Sequence, residues 1–464
     1  MNILSLDATT LANKIRTGEL SSLEVTEAYI QQIERVNPII NAVVETRFDK
    51  ARQEAKQKDQ LLQKGIAKGK LFGVPISVKE SFFVEGMTTT GGIPSRKGYI
   101  DAKDSDVVQL LKNEGAIILG KTNTPTLLLC LETDNTVYGP TNNPWNPKYH
   151  AGGSSGGEAA LIAVGGATVG IGSDIGGSIR IPSHFNGVIG FKSGKQQVSD
   201  HGHFPPFRSP FKKDMQGIGP IAKSVNDAKL IYEIIAKHPI QEQNITQFKY
   251  VFPKTDLHSL LSPLMKETLN AVQEELAKTM NVKEEFPPYF DESVLLWLGV
   301  MTYGGLEEER TIAGVRKDED LYQQDLHPYF TGIIELGKAL QPTPEKAQEI
   351  FNQRLELEKQ VNQYLKNKVM VLPVYHKTAQ KHGQMVIEAL SSVENIIKYL
   401  RFTAYVNAFG LPALVIPVRE DKTGLPFAIQ LITAVGQEDA LFKTGLIIEN
   451  SFRGYKRCTH WDTD

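Results

Sequence analysis

Two glycine-rich segments that carry serine constrain this chain more than any other feature of its sequence. The first is Gly152 to Gly157, with Ser154 at its centre, and the second is Gly172 to Arg180, with Ser178 after a glycine pair. Glycine lacks a Cβ atom, so its backbone adopts positive φ angles and lets other groups approach closely. Such a turn can aim several N–H groups at a developing oxyanion. The pattern indicates acyl transfer on Ser178, provided that a base removes the serine proton.

The candidate base is Lys79, at the end of an apolar run that begins at Leu71 and is typical of a buried strand. Burial disfavours the charged form of lysine and therefore lowers its pKa. Lowering that pKa from ~10.4 to ~7 requires about 4.6 kcal/mol of destabilisation of the cation. Neighbouring Glu80 is expected to point to the other face of the strand, because side chains alternate. We expect activity to rise with pH through the ionisation of Lys79.

Lys79, Ser154 and Ser178 together resemble the catalytic set of the amidase signature family, within a block from about Leu71 to Lys195. The resemblance implies a Ser–Ser–Lys triad. In it, Ser178 is the nucleophile, Ser154 bridges the two other groups and Lys79 accepts the proton. The sequence of the second loop is similar to the fatty-acid amide hydrolase branch. The A subunits of tRNA amidotransferases share the same motifs.

The resemblance also assigns roles to residues around the triad. It implies oxyanion donors in the backbone N–H groups of Ile175, Gly176, Gly177 and Ser178. Four other residues are expected to support the loops, namely Ser155, Ser173, Asp174 and Arg180. Asp174 and Arg180 are expected to form a structural charge pair. Ser173 stands where many members of the family have threonine, and both hydroxyls can bond the backbone.

The order of predicted elements favours an α/β fold, because short apolar strands alternate with amphipathic helices. The resemblance implies an α/β/α sandwich around a large mixed β-sheet. We expect one domain over residues 1–464, with a signature core at about 71–195, a variable region at about 238–368 that shapes the substrate pocket, and closing strands at about 369–450. Asn37-Pro38 is predicted to end the first long helix, because a residue before proline is pushed out of the α region.

Composition excludes several classes of function. The net charge of −2 gives no reason to expect a nucleic-acid partner or an anionic membrane. Cys130 and Cys458 are the two cysteines, too few for a disulfide framework or a metal cluster, which predicts a reducing cytoplasm. The N-terminus lacks the pattern of a signal peptide. The longest apolar candidate, 294–306, is too short for a transmembrane helix.

The glycine loops and several other residues could have functions unrelated to the triad. The glycine loops could cradle phosphate, but they lack the known dinucleotide and nucleotide patterns. His150 and His184 flank the loops and could belong to a Ser–His–Asp site, although packing roles are favoured. Cys130 is predicted to be buried rather than nucleophilic. Residues 294–301 could line an acyl channel, whereas a core helix is the favoured interpretation.

The predicted function is hydrolysis of a linear amide through an acyl-enzyme on Ser178, with a small-molecule amide as the partner. No metal or organic cofactor is implied. One alternative is the A subunit of a glutamine-dependent tRNA amidotransferase, which works with partner subunits. Another is a non-catalytic binding protein on the same fold. The acyl group, the amine and the oligomeric state, a homodimer included, stay open.

Overall fold

The predicted alternation of strands and helices is present in the computed structural model, which describes residues 2–206, 209–254, 261–304, 306–315, 319 and 325–462. Over these residues the chain forms eleven strands and sixteen α-helices. The strands are β1 (Val43–Thr46), β2 (Pro75–Lys79), β3 (Ile117–Thr122), β4 (Val169–Asp174), β5 (Ile189–Lys192), β6 (Gly217–Ala222), β7 (Lys249–Pro253), β8 (Asn281–Glu285), β9 (Lys368–Pro373), β10 (Ala413–Glu420) and β11 (Pro426–Ile432).

The helices account for most of the remaining described chain. They are α1 (Ala8–Arg16), α2 (Ser22–Ile40), α3 (Phe48–Gln63), α4 (Asp106–Asn113), α5 (Gly156–Ala163), α6 (Arg180–Asn186), α7 (Pro210–Met215), α8 (Val225–Ile235), α9 (Pro263–Ala277), α10 (Phe290–Thr302), α11 (Glu307–Ile312), α12 (Pro328–Leu340), α13 (Pro344–Leu365), α14 (Gln384–Leu390), α15 (Val393–Ala408) and α16 (Glu438–Ser451). None of the helices in the described ranges has the length and apolar character needed to cross a membrane.

All eleven strands belong to one mixed sheet, in the order β1-β3-β2-β4-β6-β5-β10-β11-β9-β7-β8. Strand β2 runs parallel to β3 and β4, whereas β4, β6, β5, β10, β11 and β9 pair antiparallel in succession. Every residue of β2, β4 and β6 is buried, so both faces of the sheet centre are covered. The predicted α/β/α sandwich around a large mixed sheet is confirmed. The assignment of a single domain stays a prediction.

The sheet register brings the two halves of the predicted site to one edge. In the parallel pair, Ser77 of β2 lies opposite Gly170 of β4. The carboxyl ends of parallel strands meet at the same edge of a sheet, where open α/β folds bind their ligands. Lys79 ends β2 and Asp174 ends β4, so both emerge beside the loop that leads to α6.

Helix α2 corrects the boundary predicted at Asn37-Pro38, because it continues through Pro38 to Ile40. The Asn37 side chain accepts hydrogen bonds from the N–H groups of Ala42 and Val43, and donates one to the carbonyl of Val43. These contacts hold Asn37 in a helical conformation that proline alone would disfavour. Asn41 then ends the helix in the left-handed region, at φ 48°.

Candidate active site

Lys79 and Ser154 meet at the centre of the predicted site. The Nζ atom of Lys79 lies 2.7 Å from the Ser154 hydroxyl and 3.3 Å from the Ser173 hydroxyl. All three side chains are buried. Glu80 turns away, as predicted, and its carboxylate accepts hydrogen bonds from Thr90 and from the N–H of Gly91. Lys79 therefore makes no ion pair with its acidic neighbour.

Burial sets the protonation state of Lys79. It lowers the pKa of Lys79 from its ordinary value to about 7, against the opposing charges of Asp174 and Glu158. Neither carboxylate presents a full unpaired charge. Asp174 is paired with Arg180, and burial raises the pKa of Glu158 to about 7. A substantial share of Lys79 is therefore neutral at neutral pH, as a proton acceptor must be.

Side-chain hydrogen bonds fix the loop that carries Ser154. The Thr124 hydroxyl donates to the Ser154 carbonyl over 2.9 Å. The Thr133 hydroxyl donates to the Gly152 carbonyl over 2.8 Å, and His150 Nδ1 accepts from the Gly152 N–H over 3.0 Å. Helix α5 starts directly after this loop, at Gly156. The position of Ser154 is therefore set by residues from three separate segments.

The turn between β4 and α6 presents Ser178. The carboxylate of Asp174 accepts hydrogen bonds from the N–H groups of Gly177 and Ile179, over 2.8 Å and 3.1 Å. Gly177 has a φ of +120°, a conformation in which a side chain would be strained. Its N–H is already used by Asp174. In the described chain, the N–H groups of Ile175, Gly176 and Ser178 have no hydrogen-bond acceptor, so three of the four predicted oxyanion donors are free.

A buried ion pair supports this turn from behind. Arg180 donates to the Asp174 carboxylate from Nε and from its second terminal nitrogen, each over 2.9 Å. Its guanidinium also contacts the Thr403 carbonyl, the Asn407 side-chain oxygen and the Gln430 side-chain oxygen. Burial alone would raise the pKa of Asp174, but the charge and hydrogen bonds of Arg180 outweigh it and hold that pKa far below its usual range. Asp174 stays ionised.

The two serine loops touch through their backbones. The N–H of Ser155 donates to the Ser178 carbonyl over 3.0 Å. Among the described residues, no hydrogen bond joins the Ser154 and Ser178 hydroxyls. Ser178 is 6% exposed, and it borders a cavity. The structure thus brings the predicted triad residues into one region, with Lys79 and Ser154 in direct contact.

The cavity beside Ser178 is apolar and has a volume of about 160 Å³, and neither Lys79 nor Ser154 lines it. Its walls come from α10, α12, α14 and α15 and from the segment around Leu129. None of its described lining residues carries a charge. Residues 294–301 lie partly in the core, where Val294 packs, and partly at the cavity, which Trp297 and Met301 line. That this cavity is an acyl channel stays a prediction.

Trp297 links the cavity wall to the turn. Its indole N–H donates to the Ile175 carbonyl over 2.6 Å. The ring lies so close to Gly176 that a Cβ atom there would come within 2.9 Å of it. The carbonyl and N–H of a trans peptide point in opposite directions. Fixing the Ile175 carbonyl therefore aims the Gly176 N–H away from the indole.

The alternative catalytic residues have other roles. His184 links two backbone segments, since its ring nitrogens contact Lys377 and Ala428, and burial lowers its pKa to about 4. His150 bonds the Gly152 N–H, and neither imidazole bonds Ser178 in the described chain. Burial raises the pKa of the Cys130 thiol, which disfavours the thiolate. No group of three or more His, Cys, Asp or Glu side chains within the described ranges could hold a metal ion.

Several residues of the site were not predicted from the sequence. Thr403 and Asn407 lie more than 220 positions beyond Arg180, and no local pattern marks them. His203, whose ring nitrogen lies 3.0 Å from the Ser173 hydroxyl, falls outside the signature block. Glu158 was available from the sequence, because it follows the first glycine loop directly.

Comparisons with known proteins show the family of this chain and relatives that share its fold. A sequence profile described as Amidase matches residues 24–442. The chain belongs to the amidase family. This amidase-family chain is 31% identical to fatty-acid amide hydrolase 2-A of Danio rerio, an alignment that covers 98% of the chain and 90% of that relative. It is 30% identical to the A subunit of the glutamyl-tRNA(Gln) amidotransferase of Lachnospira eligens, over 97% of the chain and 99% of that relative.

Solved structures share the fold. The structure described as fatty acid amide hydrolase superposes with a TM-score of 0.84 at 23% identity, over 98% of this chain and 86% of that one. At this identity the likeness speaks for the fold alone. The family resemblance drawn from the motifs is confirmed by the profile and by the two sequence relatives.

Proposed function

We propose that this chain hydrolyses the C–N bond of linear amides that carry an apolar acyl group, through an acyl-enzyme on Ser178. The observation that carries the proposal is the position of Ser178 between two unlike surroundings. On one side Lys79, with a pKa of about 7, bonds Ser154. On the other side an uncharged cavity reaches Ser178 itself.

The proposed reaction uses Ser178, Ser154 and Lys79, the amide and one water molecule. The Ser178 hydroxyl oxygen attacks the amide carbonyl while its proton moves to Ser154, whose own proton moves to neutral Lys79. The oxyanion accepts hydrogen bonds from the free N–H groups of Ile175, Gly176 and Ser178. When the C–N bond breaks, the proton returns through Ser154 to the leaving nitrogen, which departs as an amine or ammonia. Water then attacks the ester on Ser178 by the same relay and releases the acid.

The cavity supports an apolar acyl group rather than a charged one. Its lining includes Leu131, Met301, Leu336, Leu340 and Met385. An acyl chain in such a site gains about 25 cal/mol for each Å² of apolar surface removed from water. A charged group there would lose its hydration without a partner.

A second candidate function is that of a glutamine-dependent amidotransferase component, which the full-length match to the A subunit of such an enzyme favours. Glutamine carries an ammonium group and a carboxylate, and both need charged or strongly polar partners when they are buried. The uncharged lining of the cavity favours the hydrolase. A non-catalytic binding protein is the third possibility, and the combination of Lys79, Ser154 and Ser178 in one region argues against it.

We also propose that the protein lies in the cytoplasm. A cytoplasmic location is supported by Cys130 and Cys458, which are both buried and unpaired. A small-molecule amide is the proposed partner, and a homodimer stays one option for the oligomeric state.

The test is labelling with a fluorophosphonate, followed by mass spectrometry and by assays on primary amides of increasing acyl length and on glutamine. We expect the label on Ser178, and we expect Ser178→Ala to abolish labelling and to lower turnover by about 10⁴–10⁶-fold. Ser183→Ala is the matched control, because the Ser183 hydroxyl donates to the carbonyl of Ile179, the residue before α6, and makes no other hydrogen bond in the described chain. That variant should keep its activity.

Three results would contradict parts of this proposal. A label elsewhere than Ser178 would refute the nucleophile. Turnover of glutamine in preference to apolar amides, or only with partner subunits added, would favour the amidotransferase. Folded protein that neither reacts with the probe nor hydrolyses any amide would favour the binding protein.

A further inference from the structure

Lys79 has a second hydroxyl contact, and it leads to a histidine that the triad does not include. The Lys79 Nζ atom lies 3.3 Å from the Ser173 hydroxyl, which lies 3.0 Å from His203 Nε2. All three side chains are buried, at 0%, 2% and 5% exposure. We propose that His203 is a positioning residue, which orients the Ser173 hydroxyl so that the lone pair of Lys79 faces Ser154. This inference rests on the proposed role of Lys79 as the base.

The direction of each hydrogen bond follows from the groups involved. His203 Nδ1 lies 3.2 Å from the Pro205 carbonyl, which can only accept, so Nδ1 carries a hydrogen. In a neutral ring Nε2 is then the acceptor, and the Ser173 hydroxyl must donate to it. The lone pairs of Ser173 are left to accept an N–H from Lys79. The lone pair of the neutral amine is thereby free to accept the Ser154 hydroxyl hydrogen at 2.7 Å.

A protonated His203 would reverse this order. Both ring nitrogens would then donate, and Ser173 would turn its own hydrogen toward the lysine lone pair, in competition with Ser154. Burial and the nearby charge of Lys79 lower the pKa of His203 to about 3, although the Pro205 carbonyl and Asp200 oppose them. The ring therefore stays neutral throughout the pH range in which Lys79 titrates.

The surrounding structure holds the histidine against the strand that carries the lysine. The His203 ring packs edge-on against Phe82, with 5.0 Å between the ring centroids. The Phe204 N–H donates to the Ser81 carbonyl over 2.7 Å, and a backbone bridge joins Phe82 to His203. Ser81 and Phe82 follow Lys79 by two and three positions. His203 and Lys79 are thus fixed to the same short segment.

The test uses five single variants and one double variant, with the second-order rate constant of fluorophosphonate labelling measured against pH. His203→Leu and Ser173→Ala each remove one hydrogen bond of the chain from His203 through Ser173 to Lys79. Each should lower the labelling rate on the plateau at high pH about tenfold. The double variant should lose no more than either single variant, because both break the same chain. His203→Gln keeps an acceptor and Ser173→Thr keeps a hydroxyl, so both should recover most of the rate.

The pH profile of the labelling rate distinguishes a positioning role of His203 from a purely structural one. In His203→Leu the freed Ser173 hydroxyl can donate to the neutral amine and stabilise it, so the rising limb should move to lower pH while the plateau falls. A structural lesion would lower the plateau and the melting temperature without moving the limb. An unmoved limb, equal rates for His203→Gln and His203→Leu, or losses that multiply in the double variant would each overturn the proposal.

Lys79→Met distinguishes failure of this inference from failure of the proposed function. If Lys79→Met labels as fast as the wild type, Lys79 is not the base and the proposed function is wrong. If Lys79→Met is not labelled while His203→Leu and Ser173→Ala are labelled as fast as the wild type, the triad stands and only the positioning role of His203 is refuted.

Discussion

The surroundings of Ser178 differ sharply in polarity, with a hydrogen-bonded polar side and an apolar side formed by the cavity. On the polar side, the buried Lys79 amine bonds the Ser154 hydroxyl, and the buried Asp174 carboxylate accepts two hydrogen bonds from Arg180. On the apolar side, residues such as Leu336 and Met385 line the cavity together with other uncharged side chains. Polar groups buried in a low dielectric are costly unless they are satisfied, so the first side tolerates little change. Apolar walls depend on volume and shape alone.

This difference between the two sides predicts that the polar side sets the rate of catalysis and that the apolar side sets the selectivity for the acyl group. Changes on the polar side should lower the rate for every substrate, because they act on the proton relay or on the oxyanion turn. Changes on the apolar side should alter the ranking of substrates, because they act on the acyl group. Substitutions on each side can break that division, and the largest effects are expected on the polar side.

The largest effect after loss of the nucleophile is expected at Lys79. Only the neutral amine accepts a proton, and the pKa of Lys79 is about 7, so kcat/KM should fall tenfold for each pH unit below 7 and level off above it. Lys79→Met should lower kcat by about 10²–10⁴-fold for all amides and abolish the rising limb. A pH profile of kcat/KM on short-chain and long-chain amides measures both effects.

Lys192 provides the matched control for that profile. Burial also lowers its pKa to about 7, but its amine donates to the carbonyls of Ser193 and Leu411 rather than to a serine hydroxyl. Lys192→Met should therefore keep the rising limb. If the limb disappears in Lys192→Met and persists in Lys79→Met, the polar side has been assigned the wrong base.

Arg180→Met should destabilise the fold, because it leaves the Asp174 carboxylate buried without its cation. Breaking a buried pair in this way costs about 3–5 kcal/mol of the free energy of unfolding. Chemical denaturation measures that loss. Arg52→Met is the comparison, since Arg52 pairs with Glu27 at a partly exposed site and should cost no more than about 1 kcal/mol. Equal losses of stability in the two variants would show that the polar side tolerates substitution as well as the protein surface does.

The fold and the polar side were largely predictable from sequence, because their signals are local. Glycine pairs beside Ser154 and Ser178, and an apolar run before Lys79, report turns and a strand within a few residues. The boundary at Pro38 was wrong because the side-chain contacts of Asn37 with Ala42 and Val43 outweigh the local preference. Local propensity is a weak constraint wherever such contacts form.

The rest of the site could not be predicted, because it depends on contacts between distant segments. Thr403 and Asn407 reach Arg180 from α15, and His203 reaches Ser173 across 30 positions. The apolar pattern of α12 predicts a helix with one buried face, but it does not tell a core residue from one that faces a cavity. Ile334 packs in a core, whereas Leu336 lines the cavity two positions later.

Trp297 lines the apolar cavity and also bonds the oxyanion turn, so it tests whether the two sides act separately on rate and selectivity. Trp297→Phe keeps an aromatic wall but removes the hydrogen bond to the Ile175 carbonyl. Losing one such bond is worth about 0.5–1.5 kcal/mol, so kcat should fall about 3–10-fold for short and long acyl groups alike. Trp145→Phe is the control, since that indole donates to the Asn186 carbonyl away from the cavity. A loss confined to long acyl groups would assign Trp297 to the apolar side only.

The smallest effect is expected from Leu336→Ala, which enlarges the cavity without touching the polar network. A long acyl chain would lose about 1 kcal/mol of apolar burial, so its kcat/KM should fall about fivefold, while that of an acetyl amide should not change. The rising limb of the pH profile should stay where it is in the wild type. Leu295→Ala is the control on α10, because Leu295 is 56% exposed and lies outside the cavity. If Leu336→Ala slows both amides equally, then the apolar side also sets the rate, and selectivity must come from elsewhere in the molecule.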